Sequence, residues 1–157
     1  MVSCGVLKLR PFIKYWLPVL ACMGMIFYAS SDRQSAQHSS RIIGPVIRFL
    51  FPHLSEETVA ELIFLARKCA HLTEFGLLAL LVWRALRKPQ RHDLRPWDWR
   101  EARRTMLLVI LYAASDEFHQ LFVPTRQAAV TDVMIDASGG FFALVLLYGL
   151  GRWRKLW

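Results

Sequence analysis

Four long apolar runs, each bordered by charged residues, constrain the fold of this chain more than any other feature. They cover approximately residues 15–31, 62–86, 105–123 and 131–150. A helix needs about 20 mostly apolar residues to cross the hydrocarbon core of a bilayer. Apolar side chains make up 55% of the 157 residues, which is high for a soluble domain. We therefore predict an all-α membrane protein, a bundle of four transmembrane helices in a single domain over residues 1–157.

The first run has a second interpretation. Basic residues precede it and the small residues Ala29, Ser30 and Ser31 follow it, as in a secretory signal peptide. The run is a little long for the apolar part of such a peptide, so a retained span is the preferred interpretation.

The second run extends beyond what one crossing needs. Ser55 is suited to cap a helix N-terminus, and Glu56 in the first turn favours the helix dipole. Apolar character then persists to Leu86, over a length greater than the bilayer core. Counting about 20 residues back from Arg84 places the outer boundary near Leu65. Four ionisable residues then fall inside the outer half of the membrane: Arg67, Lys68, His71 and Glu74.

Lysine and arginine are distributed unevenly between the segments that connect the runs. Eight lie between residues 84 and 104, three between 32 and 61, and one between 124 and 130. Because basic loops stay on the cytoplasmic side, both termini and the middle loop are predicted to be cytoplasmic, in a bacterial inner membrane. The basic residues that give the net charge of +8 lie mainly in these connecting segments and do not line one amphipathic face. We therefore expect no nucleic-acid partner.

The loop between the first two runs carries its own pattern. Ile42, Ile43, Val46, Ile47 and Leu50 recur at helical spacing. The pattern predicts a short amphipathic helix in the first outer loop, lying on the membrane surface. A helix packed over the top of the bundle fits the pattern equally well.

Ionisable side chains gather toward the same end of the predicted helices. Arg67, His71 and Glu74 share one face of the second helix, because they are spaced i, i+4, i+7. Helices of alternating direction would bring the other polar groups to the same level. These are Asp116, Glu117, His119 and Gln120 in the third helix, Arg126 in the loop after it, and Asp132 and Asp136 in the fourth.

Several kinds of chemistry fit such a set. Arginine and lysine favour a phosphate or pyrophosphate headgroup, whereas histidine and carboxylates favour acid–base catalysis. A metal ion is an alternative ligand, and enough side chains could hold it: His71, Glu74, Glu117, His119, Asp132 and Asp136. No HExxH or similar motif is present, so no metal site is assigned and the cofactor is left open. A cluster of ion pairs that only fixes helix packing is the structural alternative. Gly139, Gly140 and Ala143 continue the Asp136 face, and their small size favours close helix packing.

Three motifs in this order resemble the VanZ-like family. They are RKCAHLTEF at 67–75, SDEFHQLFVPTR at 115–126 and DVMIDASGG at 132–140, and FYASS at 27–31 matches the end of the family's first helix. Thr125 departs from the glycine common before the arginine and leaves the pattern intact. Members are small bacterial membrane proteins, and the founding member is associated with resistance to teicoplanin. The resemblance implies a link to glycopeptide resistance for the family and does not carry resistance over to this chain.

These observations together predict an outward-facing polar pocket that binds an anionic envelope component. A lipid-linked wall precursor or a phospholipid headgroup would suit it, and chemical modification of that component is left open. Arg67, Lys68, Gln120, Arg126, Asp132 and Asp136 are the candidate binding residues. His71, Glu74, Asp116, Glu117 and His119 are the candidate acid–base residues. The alternatives are a non-enzymatic accessory membrane protein and, less favoured, an ion-coupled transporter.

Overall fold

The computed structural model describes residues 3–31, 35–90, 93, 95–122 and 129–157, with side chains described from residue 12 and not between 31 and 40. Within these ranges the chain forms five α-helices and no strand. They are α1 (Ser3–Ser31), α2 (Ser35–Leu50), α3 (Glu56–Arg87), α4 (Trp99–Gln120) and α5 (Val130–Trp153). The prediction of an all-α fold is confirmed for this part of the chain.

Helix α3 occupies the centre of the bundle and packs against each of the other four helices. Its start is the predicted one, because the Ser55 side chain accepts a hydrogen bond from the Thr58 backbone N–H. Its end is set by Lys88, which adopts the left-handed conformation at φ 47° and donates its N–H to the carbonyl of Arg84. Its 32 residues therefore form one uninterrupted rod from the polar to the basic end of the molecule.

Three helices are long and apolar enough to cross a membrane: Phe12–Ser30 within α1, α3 and α5. The described part of the predicted span at 105–123 is not apolar enough by the same measure of length and hydropathy. Three of the four predicted spans are therefore confirmed. Helix α4 ends at Gln120 among the described residues, and charged side chains lie near both of its ends. Between them, the 11 residues from Thr105 to Ser115 are free of charge, which corresponds to ~16 Å of helix.

Helix α1 is built into the core along one face. Tyr15, Val19, Cys22 and Ile26 are buried at helical spacing, and they share the core with residues of α3, α4 and α5. On the opposite face Leu17 and other large apolar residues are exposed, as they are on α5. An apolar exterior around an apolar core is expected of helices that face lipid. The buried face of α1 also favours a retained span over a signal peptide.

The predicted helix in the first loop is confirmed as α2. Gly44 is buried against the start of α3, where a Cβ added to it would lie 3.6 Å from the Ile63 side chain. The opposite face leaves Ile42, Val46 and Phe49 exposed, at spacing i, i+4, i+7. Helix α2 therefore contacts the bundle on one side and presents an apolar stripe on the other.

A buried arginine organises the end of the bundle opposite the polar residues. The Arg87 guanidinium pairs with Asp93 at 3.4 Å and Glu101 at 3.2 Å and donates to the backbone carbonyls of Arg95 and Pro96. The pKa of Asp93 is held below its usual range, chiefly because the Arg95 side chain donates two hydrogen bonds to its carboxylate. Asp93 therefore stays ionised, and this part of the loop joining α3 to α4 closes around Arg87.

Candidate functional site

Side chains from four helices meet at one end of the bundle in a group that we name the polar cluster. Helices α1 and α4 run toward this end, whereas α3 and α5 run away from it. The polar residues near the ends of α1 and α4 therefore meet those in the first halves of α3 and α5. The polar cluster consists of Ser30 from α1, Lys68 and His71 from α3, Asp116, Glu117 and Gln120 from α4, and Asp132 and Asp136 from α5.

Two contacts between basic and acidic side chains join α3 to α5 on successive turns. Lys68 Nζ pairs with Asp132 Oδ1 at the rim, where the two side chains are 26% and 28% exposed. One turn deeper, His71 Nδ1 lies 3.8 Å from Asp136 Oδ1, with exposures of 19% and 4%. The register follows from the i, i+3 spacing on α3 and the i, i+4 spacing on α5. The histidine is therefore held beside a buried carboxylate and remains reachable from the rim.

A second set of contacts joins α1 to α4 around Asp116. The Ser30 hydroxyl donates to Asp116 Oδ2 at 2.7 Å, and Gln120 Nε2 donates to the same oxygen at 3.0 Å. All three side chains are buried. The other oxygen, Asp116 Oδ1, is buried and has no hydrogen-bond partner among the described residues. A buried acceptor left without a donor is uncommon in native structures, and it gives this carboxylate an unused site for a proton or a donor group.

Electrostatic contacts connect the two sets into one cluster. Glu117 Oε2 accepts a hydrogen bond from the backbone N–H of Ala129 at 3.1 Å, which ties α4 to the start of α5. The Asp136 carboxylate is repelled by Asp116, Glu117 and Asp132 and is attracted by Lys68. Carboxylates from α4 and α5 therefore share one electrostatic environment with the lysine of α3.

Close contact between α3 and α5 fixes the register of these side chains. A Cβ added to Gly139 would lie 2.2 Å from the backbone carbonyl oxygen of Leu72, so only glycine fits between the two helices there. On the facing side, a Cβ added to Gly76 would lie 3.3 Å from the carbonyl of Gly139. The packing role predicted for the small residues after Asp136 is thus confirmed at Gly139, one turn below the His71–Asp136 contact.

The remaining candidate residues surround the cluster. Glu74 is partly buried one turn below His71 and is electrostatically coupled to Asp116. His119 turns toward α1, where its ring lies 4.4 Å from the ring of Phe27. Arg67 precedes Lys68 on α3 and is partly buried. Arg126 lies outside the described residues.

Ser30 is the member of the cluster that sequence reasoning did not assign to the site. Its hydroxyl is completely buried and donates directly to Asp116, 86 residues away in the chain. The available signal was the FYASS segment at 27–31, because a serine at the end of an apolar helix lies at the level of the other polar groups. Sequence alone does not reveal which helix face the serine occupies.

The described part of the chain contains no group of three or more histidine, cysteine, aspartate or glutamate side chains arranged to hold a metal ion. The cluster contains four carboxylates, those of Asp116, Glu117, Asp132 and Asp136, and Glu74 lies one turn below His71. Lys68 is paired with one of them. The arrangement is suited to accepting protons and to orienting basic groups.

The family model described as VanZ/LLP1 matches residues 15–152, which include every residue of the polar cluster. Neither a curated protein nor a solved structure matches the chain. The match covers nearly the whole chain and agrees with the three apolar helices long enough to cross a membrane. The chain is therefore a membrane protein of the VanZ/LLP1 family.

Proposed function

We propose that α4 crosses the membrane together with α1, α3 and α5, in a bacterial inner membrane with both termini in the cytoplasm. Helix α4 packs against all three of these helices and buries Thr105, Val109 and Ala113 in the core between them. Its charged end does not prevent insertion, because Asp116 and Glu117 have hydrogen-bond donors within the bundle. In this topology the polar cluster faces outward.

Reporter fusions test this topology directly. Fusions after Arg91 should report a cytoplasmic location, whereas fusions after Arg41 and at Gln127 should report an external one. The expectation rests on the eight basic residues between 84 and 104, which favour the cytoplasmic side. An alkaline phosphatase and fluorescent protein pair at each position gives opposite signals for the two locations. A cytoplasmic Gln127 fusion would overturn both the fourth span and the outward placement of the cluster.

The polar cluster, in this proposal, binds the anionic headgroup of a phospholipid or of a lipid-linked wall precursor. Lys68 supplies positive charge at the rim. Further positive charge comes from Arg67 beside it on α3 and from Arg126 in the loop after α4. Gln120, Asp132 and Asp136 orient these groups or contact the ligand. The headgroup would displace Asp132 from part of its contact with Lys68, since both side chains are partly exposed.

The observation that carries a chemical role is the contact between His71 and Asp136. A histidine that acts as a general base is oriented by a second group, and the buried Asp136 carboxylate, 3.8 Å from Nδ1, is placed to orient the ring of His71. Asp116, whose Oδ1 has no hydrogen-bond partner among the described residues, is a further proton acceptor of the polar cluster. Glu74, Glu117 and His119 are the further acid–base candidates around it. The proposal is that His71 moves a proton during modification of the bound headgroup.

A second function class is favoured by the same contacts. The Lys68–Asp132, His71–Asp136 and Gly139 contacts all join α3 to α5, so the cluster could serve only to hold an accessory membrane protein together. Transport is less well supported. Below the cluster the interior is filled by Phe75, Leu78 and Val109, which are fully or almost fully buried and apolar. A continuous polar path through the described bundle would have to pass this layer.

Variants of the cluster distinguish the two classes. His71→Gln keeps the size and hydrogen bonding of the side chain and removes its basicity, so a proton-transfer step should slow by a factor of about 10²–10⁴. Folded protein should remain near the wild-type amount for His71→Gln, Glu117→Gln and Arg126→Gln. The measurements are the amount of folded protein by size-exclusion chromatography and the profile of phospholipids and lipid-linked wall precursors in membranes that contain each variant.

His53→Gln is the matched control, because His53 is exposed outside the bundle. It should change neither the amount of folded protein nor the lipid profile. If the three cluster variants lose folded protein in proportion to their effect on the profile, the cluster is structural and the accessory class replaces the catalytic one.

A further inference from the structure

A lateral groove between α4 and α5 lies at the end of the bundle opposite the polar cluster. Its volume is about 410 Å³, within the roughly 300–1,000 Å³ of small-molecule sites. Ala102 and Leu144 form its buried floor, and Leu107, Ile110 and Val145 form exposed apolar walls. From Ala102 to Ile110 the groove extends for ~12 Å along the helix axis, most of one leaflet of the hydrocarbon core.

The open end of the groove has the chemistry of a membrane interface. Trp99 and Tyr148 line it, with ring centroids 5.5 Å apart, and Trp97 contacts both rings. Aromatic residues of this kind concentrate at the level of lipid headgroups. Arg103 lines the same end, and Arg100 precedes it by three residues on α4. Arg100, Arg103, Leu107 and Ile110 therefore form one stripe, with cationic residues at the interface and apolar residues below.

The two arginines are available for an external anion. Asp98 is occupied as the N-cap of α4, where it accepts the backbone N–H of Arg100 at 2.7 Å. Glu101 is paired with Arg87. Among the described residues, no acid forms an ion pair with the side chain of Arg100 or Arg103. The positive charge beside the groove thus has no counter-ion within this part of the protein.

We propose that this groove is a binding site for one anionic phospholipid of the cytoplasmic leaflet. One acyl chain lies between α4 and α5 against Leu144, and the phosphate contacts Arg103 and Arg100. A basic pocket between helices on the cytoplasmic side is suited to anionic headgroups. The inference rests on the proposed crossing of α4 and is independent of any chemistry at His71.

Native mass spectrometry of the purified full-length protein, titrated with phosphatidylglycerol or phosphatidylcholine of the same acyl chains, tests the site. The wild type should retain one phosphatidylglycerol in preference to phosphatidylcholine. Arg100→Gln with Arg103→Gln should weaken phosphatidylglycerol binding by about 25-fold, about fivefold for each arginine, and leave phosphatidylcholine binding unchanged. Val145→Trp should reduce binding of both lipids, because the indole fills the groove from its exposed wall.

The matched control is Arg152→Gln with Arg154→Gln, which removes two exposed arginines at the same end of the bundle that do not line the groove. The control should bind phosphatidylglycerol as the wild type does. An equal loss in the control, or equal retention of the two lipids by the wild type, would refute the site. The proposal would also be refuted if the protein formed a dimer and Val145→Trp dissociated that dimer without changing lipid binding. In that case the groove would bind a second copy of the chain. A failure of α4 to cross the membrane is detected separately by the Gln127 fusion.

Discussion

Gly139→Ala should lower the free energy of unfolding by about 3 kcal/mol, the upper end of the range for an overpacked core. The added methyl group would lie 2.2 Å from the carbonyl oxygen of Leu72, which is backbone and cannot rotate away. Helices α3 and α5 must therefore separate, and the contacts of Lys68 with Asp132 and of His71 with Asp136 lengthen with them. Unfolding in mixed micelles, followed by circular dichroism, measures the loss.

Gly149→Ala is the control on the same helix, because no atom lies within 4 Å of a Cβ added there. Alanine is the better helix former by about 1 kcal/mol, so this variant should be as stable as the wild type or more stable. Equal destabilisation by both substitutions would show that α3 and α5 do not meet at Gly139.

Arg87→Met should be destabilising by about 3 kcal/mol, the lower end of the range for breaking a buried ion pair. The guanidinium is almost completely buried and has two carboxylate partners and two carbonyl acceptors. Removing it leaves Asp93 and Glu101 without this partner, although both keep some contact with solvent. Arg87→Lys should restore little of the stability, because one ammonium cannot reproduce the planar fork of donors with which the guanidinium reaches its four acceptors.

The comparison for Arg87 is Arg104→Met. Arg104 is exposed and forms no ion pair with a described acid, so its replacement should change the unfolding free energy by less than about 0.5 kcal/mol. Thermal unfolding of the detergent-solubilised variants under one set of conditions compares the two. If Arg104→Met were as harmful as Arg87→Met, general loss of positive charge and not the buried network would be the cause.

Local patterns predicted most of the helices correctly. The start of α3 followed from Ser55 and the acids after it, because a cap depends only on residues within one turn. The contact of Lys68 with Asp132 and that of His71 with Asp136 agree with the predicted faces, since both spacings return to one side of a helix. Alternating helix direction predicted that these residues lie at the same level of the bundle.

Features that depend on how helices rotate and approach were not predictable. Arg87 was counted as a loop charge, yet the folding of the next segment around it makes it the most buried arginine described. The orientation of His119 toward Phe27 depends on the rotation of α4, which its polar turn does not determine. Helix α4 is less apolar than α1, α3 and α5, because charged side chains lie near both of its ends, and the partners of its acids lie on other helices, where sequence does not show them.

The contacts of the polar cluster join residues that are far apart in the chain, and this has a consequence for biosynthesis. Lys68 and His71 leave the ribosome 64 and 65 residues before Asp132 and Asp136, respectively. Charged groups in hydrocarbon are costly without partners, so α3 is expected to remain beside the insertion machinery until α5 has been synthesised. A chain truncated before α5 would present unpaired charges within the bilayer, which membrane quality-control proteases can recognise. Completion of α5 is therefore expected to be the step after which α3 leaves the insertion machinery.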